Sequence, residues 1–316
     1  MPKRKISFRN NFQTEVLKER RFLIFINPVS GTKDKAEVRK YLENELSENN
    51  YFYRIMPAEQ SGEYGFLKNK ITAENITDIV ICGGDGTVSQ VTSAITGMKV
   101  NIGIIPMGSG NGLAFAARIP KDFKKAFRII LAGKGEYTDA FLINDKFSCM
   151  LCGLGFDAQV AHEFSGQTKR GFSAYIKQTL KHFFNAQSYP FQIKANGTTI
   201  DTEAFLISIA NSNQFGNNFT IAPKASLNDG LLDIVIVNKT GKFNLIFKIL
   251  NQVRKGKIVN ADSPQKTVHY FQTERMTISN RAKAPLHIDG EAAETSEYFE
   301  IAVLPKAFYL IREIAV

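Results

Sequence analysis

Residues 78–88, Asp78-Ile79-Val80-Ile81-Cys82-Gly83-Gly84-Asp85-Gly86-Thr87-Val88, decide the fold. A β-branched apolar run stops at two glycines, an aspartate, a third glycine and a threonine. Apolar residues at helical spacing follow: Val88, Val91, Ala94 and Ile95. The stretch predicts a strand, a phosphate-sized loop and a helix N-terminus. Glycines let backbone N–H groups approach an anion, and the helix start adds partial positive charge. A carboxylate in such a loop repels phosphate unless a metal ion or a transferable proton is present. Asp85 is therefore the most informative residue of the chain.

Two more loops of this kind stand in the same half. Residues 100–105 read as a strand, broken by Pro106-Met107-Gly108-Ser109-Gly110-Asn111-Gly112 before a helix resumes at Leu113. Upstream, Phe22-Leu23-Ile24-Phe25-Ile26 leads into Asn27-Pro28-Val29-Ser30-Gly31. All three loops follow the C-terminal end of a strand, the edge at which parallel α/β sheets bind ligands. The backbone N–H groups of Gly83, Gly84, Gly86 and Thr87 are expected to cradle phosphates. Gly108, Ser109, Gly110 and Asn111 are expected to close over the same ligand, with Asn27, Ser30 and Gly31 adding donors. No fixed lysine stands in the loops, so Mg²⁺ carries much of the charge neutralisation, with Asp85 placed to bind it or its waters. No G-x-x-x-x-G-K-[ST] occurs, which excludes a Walker-type NTPase. No G-x-G-x-x-G opens the first helix, which argues against a plain dinucleotide-binding domain.

From 21 to about 138 the pattern alternates strand and helix. Strands are expected near 22–26, 51–56, 78–82 and 101–105, and helices near 34–48, 61–71, 87–97, 111–117 and 121–132. This predicts a parallel sheet with helices on both faces. The character changes at Gly133-Lys134-Gly135. Short strands then predominate, near 137–143, 146–153, 191–196, 199–209, 232–237, 268–279 and 296–303, with hairpin turns at Asn144-Asp145 and Asn196-Gly197. The domains expected are a basic arm over 1–20, an α/β domain over 21–138 with a C-terminal return over about 306–316, and a β-rich domain over 139–305. Two basic amphipathic stretches, 161–187 and 239–257, are either packed helices or elements that meet a membrane.

The loops resemble those of the diacylglycerol kinase catalytic-domain family, which includes bacterial lipid kinases and sphingosine kinases. The matching pieces are Asn27-Pro28-Val29-Ser30-Gly31, Gly83-Gly84-Asp85-Gly86-Thr87, Pro106-Met107-Gly108-Ser109-Gly110-Asn111, Asn228-Asp229-Gly230-Leu231-Leu232-Asp233 and Asp289-Gly290-Glu291. The resemblance implies an α/β plus all-β fold: an N-terminal Rossmann-like domain of the NAD-kinase and diacylglycerol-kinase type, and a C-terminal antiparallel β-sandwich. It implies ATP and Mg²⁺ as cofactors. It makes Asp85, Asp289 and Glu291 the catalytic carboxylates, with Asp289 or Glu291 as the base that activates a lipid hydroxyl. Ser226, Asp229 and Leu231 would hold a magnesium ion, and Asp139 is an electrostatic partner of the site. The chain departs from the pattern at Gly112, where bacterial members carry an aspartate of the magnesium network.

The chain has 316 residues and a net charge of +10. Attraction to anionic headgroups is the natural use of that charge for an enzyme acting at a membrane surface, and no nucleic-acid motif is visible. No apolar run approaches the ~18–20 residues that span a bilayer. Met1-Pro2-Lys3-Arg4-Lys5 lacks an apolar segment after it, so no secretory signal is expected. The expected location is cytoplasmic and peripheral to the membrane, with a homodimer left open. Three cysteines make no disulfide framework, and four scattered histidines have no metal-ligand spacing. Three functions stay open: an ATP-dependent kinase of a diacylglycerol or sphingoid-base type lipid, a small-molecule kinase of the NAD kinase type, and a non-catalytic nucleotide-binding sensor.

Overall fold

The structure, a computed structural model, describes residues 20–156, 158–159, 186–213, 222–239 and 268–313. The basic arm, apart from Arg20, and nearly all of the two basic amphipathic stretches lie outside the described residues.

The first half is α/β. Strands β1 (Arg21–Ile26), β2 (Phe52–Pro57), β3 (Asp78–Gly83) and β4 (Asn101–Pro106) pair in parallel in the order β2-β1-β3-β4. Residues of β3 are buried throughout, as a strand covered on both faces requires. Helices α1 (Lys35–Glu48), α2 (Leu67–Glu74), α3 (Asp85–Ala94), α4 (Gly112–Ala116) and α5 (Phe123–Ala132) supply the cover. The core holds Phe22, Phe25, Leu42, Leu46, Ile79, Val91 and Phe127, and each such side chain stabilises by roughly 1.5–3 kcal/mol on burial. α1 meets α5 through an edge-on ring pair, Tyr41 and Phe123, 5.5 Å apart. Asp34 and Asp122 cap α1 and α5 with their side chains, accepting from Ala36 and Lys125 N–H. α2 starts at Leu67 and not near 61. Gly62 and Gly65 break the preceding segment, and Tyr64 is buried against Phe25.

The second half is antiparallel. It comprises β5 (Gly135–Ile143), β6 (Lys146–Ser148), β7 (Leu151–Gly155), β8 (Tyr189–Ala195), β9 (Thr198–Ala210), β10 (Leu232–Asn238), β11 (Val268–Thr273), β12 (Arg275–Ser279), β13 (Leu286–Ile288), β14 (Glu291–Ala293) and β15 (Tyr298–Ile311). Its core is separate, built on Phe141, Ile193, Ile207, Ile234, Ile278 and Phe299. The single strand expected over 146–153 is two strands, parted by a turn at Cys149-Met150. The one expected over 268–279 is also two, because β11 pairs with β10 while β12 pairs with β8 and β15. The Asn196-Gly197 hairpin has φ of 51° and 73°, the positive pair that a tight two-residue turn needs.

β15 joins the halves. Residues 298–302 pair with β12, and Tyr309 and Leu310 pair in parallel with β4. The register of β15 against β5 shifts between Leu304 and Phe308. Asp139 fills that irregularity, with its carboxylate accepting from Lys306 N–H and Gly230 N–H, each at 2.7 Å. The expected boundary at 138 thus falls inside a continuous strand.

One buried ion pair pins the start of β3. Arg20 donates to both carboxylate oxygens of Asp78, at 3.0 and 2.6 Å, and Thr77 and Asn101 donate to the same group. Asp78 is fully buried. Removing one partner strands a buried charge, so Asp78→Ala should lower the unfolding free energy in urea by about 3–5 kcal/mol. A loss under about 1 kcal/mol would show the pair to be dispensable.

Candidate active site

The glycine loops meet backbone to backbone. A Cβ added at Gly108 would stand 2.6 Å from the Cα of Gly84. Gly31, at φ 57°, lies against the Met107 carbonyl, where an added Cβ would come within 2.0 Å of the oxygen. The strand ends place the three loops together, and only glycine permits the contact.

Several residues expected to contact nucleotide also hold the loops together. Asn27 donates to the buried Thr87 hydroxyl at 2.7 Å and accepts Val29 N–H at 3.0 Å. Asn111, at φ 55°, folds its amide onto Gly108, accepting the N–H at 2.8 Å and donating to the carbonyl at 2.7 Å. Ser30 and Gly31 offer their carbonyls to the Lys35 ammonium. The groups left facing outward at the start of α3 are its first N–H groups, which no helical carbonyl satisfies. Gly84 is the N-cap there and no side chain caps the helix. Ser109 is exposed on the neighbouring loop.

Two lysines stand beside these loops. Lys33 donates to the carbonyls of Pro106 and Lys121, and Lys35 to those of Ser30, Gly31 and Lys33. Burial lowers the Lys33 pKa, opposed by the charge of Asp122. The sequence expectation of loops without fixed lysines is corrected here. The two residues follow Gly31 closely, and carbonyls at the end of the first loop and of β4 hold them.

Asp85 is half-buried at the start of α3. Its Oδ2 sits 2.7 Å from the position a Cβ would take on Gly110. Burial pushes its carboxyl up to about 6, against the lowering by the N–H groups of Gly112, Leu113 and Asn111 and with the charge of Asp289 adding to the rise. Gly112, the residue that departs from the family pattern, thus turns its N–H toward the loop carboxylate. The carboxylate of one glycine loop anchors the start of the next helix, α4.

Asp289 and Gly290 form the two-residue turn between β13 and β14, with φ of 49° and 84°. Asp-Gly is a strong signal for such a turn. The strands flanking it, three residues each, are too short for periodicity to reveal. Asp289 is 7% exposed, and its carboxylate sits in a nest of donors. Ser148 Oγ donates at 2.6 Å, Met150 and Leu151 N–H at 3.1 Å, Cys149 N–H at 3.2 Å and Ser89 Oγ at 2.7 Å. Cys149 and Cys152 are both buried and form no disulfide. Glu291, at the start of β14, is exposed, and its Oε1 lies 3.4 Å from the Cβ position of Gly86. The β13–β14 hairpin therefore brings Glu291 over the N-terminus of α3, although over two hundred residues separate them in sequence.

Ser226, Asp229 and Leu231 lie on one turn. Ser226 Oγ bonds Asn228 at 3.1 Å, and Asp229 accepts Leu231 N–H at 3.1 Å. Asp139 ties this turn to β5 and β15 through Gly230 N–H and the Leu227 carbonyl. Among the described residues no three His, Cys, Asp or Glu side chains gather as a metal cluster. Likewise no helix is long and apolar enough to cross a membrane.

Comparison with known proteins agrees with this architecture. Residues 21–143 match the diacylglycerol kinase catalytic domain, and residues 151–312 match the YegS C-terminal NAD kinase beta sandwich-like domain. A protein of Chromohalobacter salexigens named "Probable lipid kinase YegS-like" is 25% identical over 257 residues, 79% of this chain and 81% of its own. A diacylglycerol kinase of Staphylococcus aureus is 25% identical over 279 residues, 86% of each chain. A solved structure of a diacylglycerol kinase from Bacillus anthracis str. Sterne superposes with a TM-score of 0.73 at 19% identity, covering 94% of this chain and 98% of that one. That last likeness is one of fold. With both domain models matched in order, the chain belongs to the lipid kinase family that joins a diacylglycerol kinase catalytic domain to a YegS-type β-sandwich.

Proposed function

We propose that this protein transfers the γ-phosphoryl group of ATP to the hydroxyl of a lipid, of diacylglycerol or sphingoid-base type, at a membrane surface. The observation that carries the reading is the approach of Glu291 to Gly86. It puts a carboxylate beside the helix N-terminus where a phosphate would bind. The names of the relatives, a lipid kinase and a diacylglycerol kinase, supply the acceptor class.

The step balances simply. The acceptor hydroxyl gives its proton to a carboxylate, its oxygen forms a bond to the γ-phosphorus, and the bond to the β-phosphate oxygen breaks to release ADP. Glu291 is exposed and free to take that proton. The Asp289 carboxylate is already engaged by N–H and O–H donors. It fixes the hairpin instead. The N–H groups at the start of α3 and the Gly108–Gly110 loop orient the phosphates. Asp85, inside the phosphate loop, fits a magnesium ion or its waters, and the oxygen-rich turn of Ser226, Asp229 and Leu231 fits a second hard cation. Bound magnesium would supply the positive charge that phosphoryl transfer needs.

The acceptor is identified by supplying radiolabelled ATP with diacylglycerol, sphingoid bases, ceramide or undecaprenol in vesicles, and with NAD in solution. Label in an organic-soluble product supports the reading. Label in NAD alone points to a small-molecule kinase, and label in neither to a nucleotide sensor. Glu291→Gln should lower kcat by ~10²-fold or more and leave the affinity for an ATP analogue nearly intact. Asp289→Asn should also lower kcat, through the loosened hairpin. Wild-type turnover in both would reduce the Asp-Gly-Glu to an ordinary turn.

Asp85→Asn tests the phosphate loop in two ways. Transfer should fall by ~10²-fold or more. The nucleotide-free protein should become more stable at pH 7. The folded-state carboxyl titrates at about 6, above the ordinary ~3.9. The folded state therefore holds the proton more tightly, and stability is lost as pH rises through 6. An asparagine removes that loss, worth at most about 3 kcal/mol. Unfolding midpoints of wild type and variant at pH 4 and pH 7 should converge at the lower pH. A variant less stable than wild type at pH 7 would contradict the assignment of a strained carboxyl.

The net charge of +10 makes membrane association electrostatic. Co-sedimentation with vesicles should need anionic lipid and weaken as salt shortens the screening length below about 10 Å. Binding indifferent to both would count against action at a charged surface.

A further inference from the structure

We propose that Ser89 is a positioning residue for phosphoryl transfer: its hydroxyl links the phosphate-binding helix α3 to the Asp289-Gly290-Glu291 hairpin and so sets where Glu291 meets the acceptor. The inference rests on the reading of Glu291 as the base.

The donors to Asp289 divide into two sets. Ser148, Cys149, Met150 and Leu151 all belong to the β6–β7 turn, in the same antiparallel half as the hairpin. Ser89 comes from α3, in the other half, and donates at 2.7 Å. Among the described residues it is the one donor that reaches Asp289 from the nucleotide-binding side. Ser89 stands four residues after Asp85 and three after Gly86, so all three share one face of α3. The face that offers Gly86 to Glu291 also offers Ser89 to Asp289. The hairpin is thus seated on α3 at two points a turn apart.

The direction of the hydroxyl is informative. A serine or threonine inside a helix commonly bonds the carbonyl four residues back. Thr72 does so to Lys68, and Thr96 to Thr92 after α3 ends. Ser89 bonds across the cleft to a residue 200 positions away. The nest from the β6–β7 turn holds the Asp289 carboxylate in its own half without help. What Ser89 adds is the location of that half relative to the phosphates.

Ser89→Ala, Ser89→Thr, Glu291→Gln and the double variant Ser89→Ala/Glu291→Gln are assayed with radiolabelled ATP and diacylglycerol vesicles, alongside equilibrium binding of an ATP analogue. Ser89→Ala should lower kcat between roughly tenfold and 10²-fold, as expected for misplacement of a reacting group. Analogue affinity should stay within about twofold of wild type, a change of no more than about 0.4 kcal/mol. Ser89→Thr keeps the hydroxyl and should recover most of the rate. If Ser89 acts through Glu291, the double variant should be no slower than Glu291→Gln alone. Wild-type kcat in Ser89→Ala, analogue affinity that falls in step with kcat, or a fully additive double variant would overturn the inference. Should Ser89→Ala fail to fold, failure of Ser89→Thr to keep the rate would overturn it. The underlying reading fails separately: in that case Glu291→Gln itself turns over like wild type.

Discussion

The carboxylate of Asp289 is the group on which the site geometry depends. It accepts three N–H groups from one tight turn and a hydroxyl from each half of the protein. A buried carboxylate is costly to desolvate, and a full set of donors offsets that cost. The same donors make it a rivet. They fix the β6–β7 turn, the β13–β14 hairpin and α3 with respect to one another. Glu291, two residues on, inherits its position from that arrangement and has no need of partners of its own.

The second constraint lies at the glycines. Gly84 and Gly108 touch through their Cα atoms, and Gly31 rests on the Met107 carbonyl. Three strand ends can then place three loops in one shell, with the start of α3 at its centre. Asn27, Asn111, Lys33 and Lys35 serve that shell from within, by bonding its carbonyls, an N–H group and a hydroxyl. Asp85 braces the start of α4, and burial there pushes its carboxyl up to about 6.

Much of this was legible in the sequence, and the reasons are local. A β-branched run ending in glycines marks a strand and its turn within a few residues, so β1, β3, β4 and the loops after them could be read directly. The change of character at Gly133-Lys134-Gly135 was also visible, and α5 ends at Ala132 while β5 begins at Gly135. The roles of Asn27 and Asn111 were not, since a side-chain amide near glycines suits a ligand and a neighbouring loop equally well. Thr87, the partner of Asn27, lies 60 residues away. Ser89 carried no signal at all: a serine on a helix face is ordinary until the fold sets Asp289 opposite it. The split of the strands expected over 146–153 and 268–279 depends on which neighbours they pair with, and that is fixed by the sheet as a whole.

The central claim is that nucleotide and acceptor meet where α3 faces the β13–β14 hairpin. Hydrogen exchange measured without ligand, with a non-hydrolysable ATP analogue and magnesium, and then with acceptor vesicles added tests it most directly. The account predicts slowed exchange over 83–88 and 107–112 with the analogue, and further slowing over 286–293 once the acceptor is present. Protection by the analogue that leaves 83–88 unchanged, or acceptor protection that spares the hairpin, would contradict it.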